Sequence, residues 1–135
     1  NYAERVNFNQ TERGGITEEK EQSKISSLSQ KDREWLENFE KLVLNQLHSP
    51  LFSNDYLAEL LKMDRKTLYK KVKINTGLTP TQYIKTLRLK LGKDLLESRE
   101  YKTVKEISKQ VGFKKTAYFS KLFKEEYGKS PSDYF

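Results

Sequence analysis

Two stretches of this sequence carry cations and hydroxyls at helical spacing. In the first, Lys66, Tyr69, Lys70 and Lys73 lie mostly away from Leu68 and Val72, and Arg65 stands near the amino end. In the second, Thr116, Ser120, Lys121 and Lys124 project while Phe119 and Phe123 turn inward. Lys114 and Lys115 occupy the turn just ahead of it. Arginine and lysine donate to phosphate oxygens and to guanine, and hydroxyls bond base edges or phosphates. A helix with one apolar packing face and one polar, positive face is what entry into a DNA major groove requires. Other chemistry has little to work with. The chain has no cysteine and one histidine, His48, which excludes disulfides, thiolate metal sites and cysteine nucleophiles. It has no glycine-rich phosphate loop, no clustered metal ligands and no nucleophile–base pair at a recognisable spacing. Neither an enzymatic activity nor a cofactor is expected.

Charge points the same way. The 135 residues carry a formal net charge of +7, unevenly spread. Residues 1–30 hold four basic and five acidic groups, whereas residues 31–135 hold 22 basic and 14 acidic groups, a net of +8. So basic a globular part attracts polyanions: nucleic acid, an anionic membrane or an acidic protein. No run of 18 apolar residues exists, so no membrane insertion is expected. The polar start shows no signal peptide, and Asn1 in place of methionine points to a piece of a longer protein.

The elements that must hold these residues read as helices throughout. Residues 1–30 are poor in apolar groups and contain Gly14-Gly15, which suits a linker, with a short helix expected over Thr17 to Lys24. Ser29 with Asp32 resembles an N-terminal cap. Trp35, Leu36, Phe39, Leu42, Val43 and Leu47 then recur at helical spacing until Ser49-Pro50. Ser53 or Asn54 caps a second helix, with Leu57, Leu60 and Leu61 inward. Asp64 caps a third that stops at Gly77. Pro80 opens a long helix to about Ser98 with Ile84, Leu87, Leu91 and Leu95 as its stripe. Gly92 within it costs about 1 kcal/mol relative to alanine, which a close helix–helix contact would explain. Thr103 caps a fifth helix bearing Val104, Ile107 and Val111, Gly112-Phe113 makes a turn, and Thr116 to Tyr127 forms a sixth helix ended by Gly128. No alternating strand pattern competes, so the fold class is all-α.

The two halves repeat. Leu57-Ala58 and Leu61 match Ile107-Ser108 and Val111 at a shift of 50. Leu68, Lys70, Val72, Lys73, Gly77, Pro80 and Tyr83 match Phe119, Lys121, Phe123, Lys124, Gly128, Pro131 and Tyr134 at a shift of 51. Duplicated helix-turn-helix units would look like this. The expected division is a linker over 1–30 and a DNA-binding domain over 31–135. Within the latter, units at 31–78 and 99–135 flank a linker helix at 79–98. That helix, about 27 Å long, approaches one DNA turn of about 34 Å, so it could place both basic helices in successive major grooves.

At this point the chain resembles the DNA-binding domain of the AraC/XylS family of bacterial transcription regulators. The resemblance rests on Leu68 through Lys73, Thr76-Gly77-Leu78-Thr79-Pro80, Tyr83-Ile84 and Arg88-Leu89. In the second half it rests on Ile107, Val111-Gly112-Phe113, Tyr118 through Lys124, Gly128 through Pro131, and Tyr134. It covers about residues 31–135. The first half is similar in particular to output domains of hybrid two-component regulators, in which a sensor kinase shares the chain. The resemblance implies base contacts from Lys66, Tyr69 and Lys70 and from Thr116, Ala117, Ser120 and Lys121. Ala117 offers only a methyl, suited to thymine. It also implies double-stranded DNA as partner, a sensor or receiver domain upstream, and a cytoplasmic location. Gly92 departs from the family's usual alanine, and Asp64 from its common serine.

Plainer roles account for other residues. His48 at a helix end suits interaction with the helix carboxyl terminus, and Trp35 suits a core anchor. Glu18-Glu19, Glu125-Glu126, Lys90 and Lys93 read as solvated, with phosphate contact the alternative for the two lysines. The alternative function is an interaction module contacting RNA polymerase or another regulator. A membrane-surface binder would carry large apolar residues on the charged faces, where this sequence has Lys, Thr, Ser and Tyr.

Overall fold

The structure is a computed structural model that describes Ile25 and residues 28–135. The expected helix over Thr17 to Lys24, and nearly all of the expected linker, lie outside the described residues. Six α-helices and a closing 3-10 helix make up the described chain, with no strand among those residues. They are α1 (Gln30–Gln46), α2 (Asn54–Leu60), α3 (Arg65–Thr76), α4 (Pro80–Ser98), α5 (Val104–Gln110), α6 (Thr116–Tyr127) and the 3-10 turn Pro131–Tyr134. The expected all-α pair of helix-turn-helix units on a long connecting helix is the observed architecture.

Local chemistry starts and stops these helices. Ser29, Ser53, Asp64, Thr79 and Thr103 each accept a hydrogen bond from the backbone N–H three residues on, removing one of the four amides a helix start leaves unpaired. Thr79 and Gln82 complete a reciprocal box that spans Pro80. Gly77 and Gly128 end α3 and α6 with φ of 78° and 72°.

The repeat extends into backbone detail. The Met63 N–H donates to the Ala58 carbonyl at 3.0 Å, and the Phe113 N–H to the Ser108 carbonyl at 2.9 Å. Positive φ recurs at the matching turn positions, 57° at Lys62 and 88° at Gly112. The first unit packs Leu57, Leu68 and Val72, while the second replaces the last two with Phe119 and Phe123. The larger ring needs room, and Gly92 of α4 supplies it. A Cβ there would lie 2.9 Å from both Cε1 and Cζ of Phe119. This is the close contact that its place in mid-helix called for.

Helix α4 is the common support, packing against α1, α3, α5, α6 and the 3-10 turn. Its buried set therefore goes well beyond a single stripe, adding Tyr83, Thr86, Leu89, Lys90, Gly92 and Leu96 to the expected residues. Lys90, expected to be solvated, is buried, because neighbours flank the helix on several sides. Leu60 corrects a second expectation. Positions advance about 100° per residue, so Leu57, Ala58 and Leu61 define the inner arc of α2 and Leu60 falls outside it, 41% exposed. Trp35 stacks on Phe39 at 5.4 Å, and Phe39 on Tyr83 at 6.2 Å, tying α1 to α4.

Candidate nucleic-acid interface

Helix α3 is held from behind and presents its amino-terminal half. Leu68 and Val72 are fully buried, and Lys71 folds back over the Trp35 ring at 4.9 Å. Arg65, Lys66, Tyr69, Lys70 and Lys73 are all exposed. Two of them have contacts within the chain. Lys73 Nζ donates to the Gly77 carbonyl at 3.2 Å, closing the helix end, and Arg65 Nε lies 3.6 Å from Asp55 Oδ1. Both partners of that ion pair are 71% exposed, so it is worth at most about 1 kcal/mol and leaves Arg65 free to exchange partners.

The Asp64 cap fixes where α3 begins. Its Oδ1 accepts from the Thr67 N–H at 2.7 Å. That bond, then the Thr67 side chain and more weakly Lys66 and Lys70, holds the carboxyl below its ordinary value of 3.8. A depressed folded pKa stabilises the fold above the unfolded value, and the gain is lost as pH falls through the folded one. Asp64→Ala is therefore expected to lower the melting temperature near neutral pH. The difference from wild type should close below pH 3.8, as thermal melts across pH would reveal.

Helix α6 repeats the design with differences. Phe119 and Phe123 are buried; Lys115, Ala117, Lys121 and Lys124 are exposed, and Thr116 and Ser120 are half-buried. Lys115 stands at the N-cap with no side-chain hydrogen bond to the helix. Tyr118 is 50% exposed, close to the 48% of Tyr69, and was missed by the sequence reading. Its position three residues before Lys121 was the available signal, since i and i+3 share a helix face. It meets the Phe113 ring edge-on at 6.0 Å.

Cations crowd the amino-terminal ends of both helices, although the Asp64 cap of α3 and Lys73 and Lys124 in the last turns are placed as the helix dipole favours. Neither first turn contains an acidic residue. Instead Arg65 and Lys66 open α3, Lys114 and Lys115 precede α6, and Glu125 and Glu126 sit near its carboxyl end. Cations are unfavourable at a helix amino terminus, by about 0.3–1 kcal/mol each. The same positive end with exposed lysines attracts an external anion. The two exposed faces also adjoin one surface. Asn54 Nδ2 donates to Thr81 Oγ1 at 3.1 Å, and this pair lines two neighbouring grooves. One groove reaches Arg65 and Tyr69 of α3, and the other reaches Lys85 of α4 and Tyr118 of α6.

Residues 57–135, more than half of the chain, match the family described as a helix-turn-helix domain. The chain belongs to the AraC/XylS family. This AraC/XylS domain is 34% identical over 108 residues to Histidine kinase P4 of Formosa agariphila, covering 80% of the chain and 8% of that protein. It is 38% identical over 79 residues to the HTH-type transcriptional activator RhaS of Escherichia coli, covering 58% of the chain and 28% of that protein. Among solved structures it is similar to the C-terminal domain of the two-component response regulator yesN from Fusobacterium nucleatum. The identity is 31% and the TM-score 0.57, covering 72% of this chain and 97% of that one. The chain thus spans a minor part of the two full-length relatives. AraC/XylS domains are DNA-binding modules of transcription regulators, not enzymes. Among the described residues no helix is long and apolar enough to cross a membrane.

Proposed function

We propose that this AraC/XylS domain recognises specific duplex sequences by setting α3 and α6 into successive major grooves. The observation that carries this is the cluster of exposed cations at the amino-terminal ends of two equivalent helices. A phosphate bound there would meet both these cations and the positive helix ends. In a helix-turn-helix protein, amino-terminal residues of the second helix reach base edges. Lys66, Tyr69 and Lys70, and Thr116, Ala117, Ser120 and Lys121, take that role here. Arg65, Lys73, Lys115 and Lys124 contact phosphates, and Tyr118 joins them beside Lys121. The common surface along Asn54 and Thr81 supports engagement of a single duplex by both units.

The relatives named above include a histidine kinase and part of a response regulator. They support a place for this chain as the cytoplasmic output domain of a longer regulator, with a sensor or receiver domain upstream.

Titration of random-sequence duplex DNA at increasing salt tests the electrostatic core of this proposal. Neutralising four to six phosphates gives a slope of log K against log salt between about −3.5 and −5.5. A slope near zero would overturn it.

A further inference from the structure

We infer that Arg88 is a positioning residue for DNA recognition, setting the spacing between the two DNA segments the domain accepts by locking the second unit against the first. The inference rests on the two-groove reading above.

Arg88 sits midway along α4, half-buried, and its side chain leaves that helix to join parts of both units. Its Nη1 donates to the Gly112 carbonyl and, at 3.4 Å, to the Val111 carbonyl, in the turn that leads into α6. The guanidinium carbon lies 4.8 Å from the Phe52 ring centroid, in the loop that leads into α2, and 5.9 Å from that of Phe113. One planar cation therefore stacks on the first unit and hydrogen-bonds the second. Lysine cannot do both, because its ammonium has neither a flat face nor a fork of donors.

Gly112 marks the same joint independently. Its positive φ alone does not demand glycine, since Lys62 holds the matching turn position at 57°. What differs is the surroundings. A Cβ at Gly112 would collide with Arg88 Nη1 and lie 3.1 Å from the Leu47 carbonyl at the end of α1. The Phe52 loop and the 111–113 turn thus meet on one guanidinium, and the end of α1 lies against the same turn.

Leverage makes this joint matter. Helix α6 has 12 residues, about 18 Å at 1.5 Å each. A tilt of about 10° at its root moves its far end by about 3 Å and Lys121, about 7.5 Å along it, by about 1.3 Å, against a rise of about 3.4 Å per base pair. Loosening the joint should therefore relax the preferred spacing and leave each unit's own contacts intact.

The test uses the full chain and a duplex that the wild type selects from a random pool. Companion duplexes carry one base pair more or fewer between the two protected segments, or one segment alone. Wild type is expected to prefer the selected spacing by about tenfold or more, within the range of one lost base contact. In Arg88→Met that preference should shrink to about threefold or less, with single-segment affinities within about twofold of wild type. Arg88→Lys should fail to restore it. Phe52→Leu, which removes the ring under the guanidinium but keeps the carbonyl bonds, should give a smaller loss in the same direction. Spacing preference unchanged in Arg88→Met, or in Phe52→Leu should the former not fold, would overturn the inference. So would a parallel loss on single-segment duplexes with a salt slope shallower by about 1, the mark of a phosphate contact. A wild type that binds each segment yet ignores spacing removes the inference alone, whereas one with no preference for any duplex removes the two-groove reading as well.

Discussion

Phe119→Ala is expected to cost about 3–5 kcal/mol of folding stability, the range for deleting a fully buried phenylalanine. The ring is completely enclosed, with Phe113 at 5.3 Å and Phe123 at 5.7 Å between centroids, and Gly92 of α4 against its edge. Collapse into the void is hindered because α4 is held by several other elements. The loss should reach DNA binding indirectly, since α6 keeps its orientation through this ring and Phe123. Chemical denaturation read by far-ultraviolet circular dichroism measures the cost, and a variant melting like wild type would contradict the packing. A second substitution isolates the contact. Gly92→Ala alone should destabilise, because its Cβ would stand 2.9 Å from the ring. In a Phe119→Leu background the same change should be neutral or stabilising, as alanine regains up to about 1 kcal/mol of helix propensity.

The second large effect concerns DNA and not stability. Lys70→Ala and Lys121→Ala should each cost about 1–3 kcal/mol on a selected duplex, roughly 5- to 150-fold in affinity. Both side chains are exposed and occupy matching positions, one helical turn after Lys66 and Ala117. Their removal should leave melting temperature nearly unchanged, because surface substitutions seldom exceed about 0.5 kcal/mol. The informative comparison is with random duplex. A base contact lowers affinity for the selected sequence far more than for random DNA, whereas a phosphate contact lowers both alike. Equal losses on both would reassign these lysines to the backbone.

Much of this architecture was legible because local and periodic signals agreed. Caps, stop glycines and apolar spacing mark the helices from α1 to α6, and Gly92 in mid-helix signals a tight contact. Expectations failed where the environment came from distant elements. Lys90 belongs to a polar position only if α4 has one buried side, and packing by several elements removes that condition. Leu60 was misplaced by treating every leucine of α2 as inward. Its repeat partner Gln110 is exposed too, so the internal comparison carried the correction. The exposed faces of α3 and α6 follow from spacing, but Arg88's reach between units and the crowding at Gly112 depend on contacts far apart in sequence. No periodic pattern encodes those.

The most direct test of the two-groove account is methylation interference at guanine N7 on a selected duplex, because N7 lies in the major groove. Interference in two segments about 10 base pairs apart, lying on one face of the helix, is the expected outcome. Interference confined to one segment, or none despite tight binding, would contradict it.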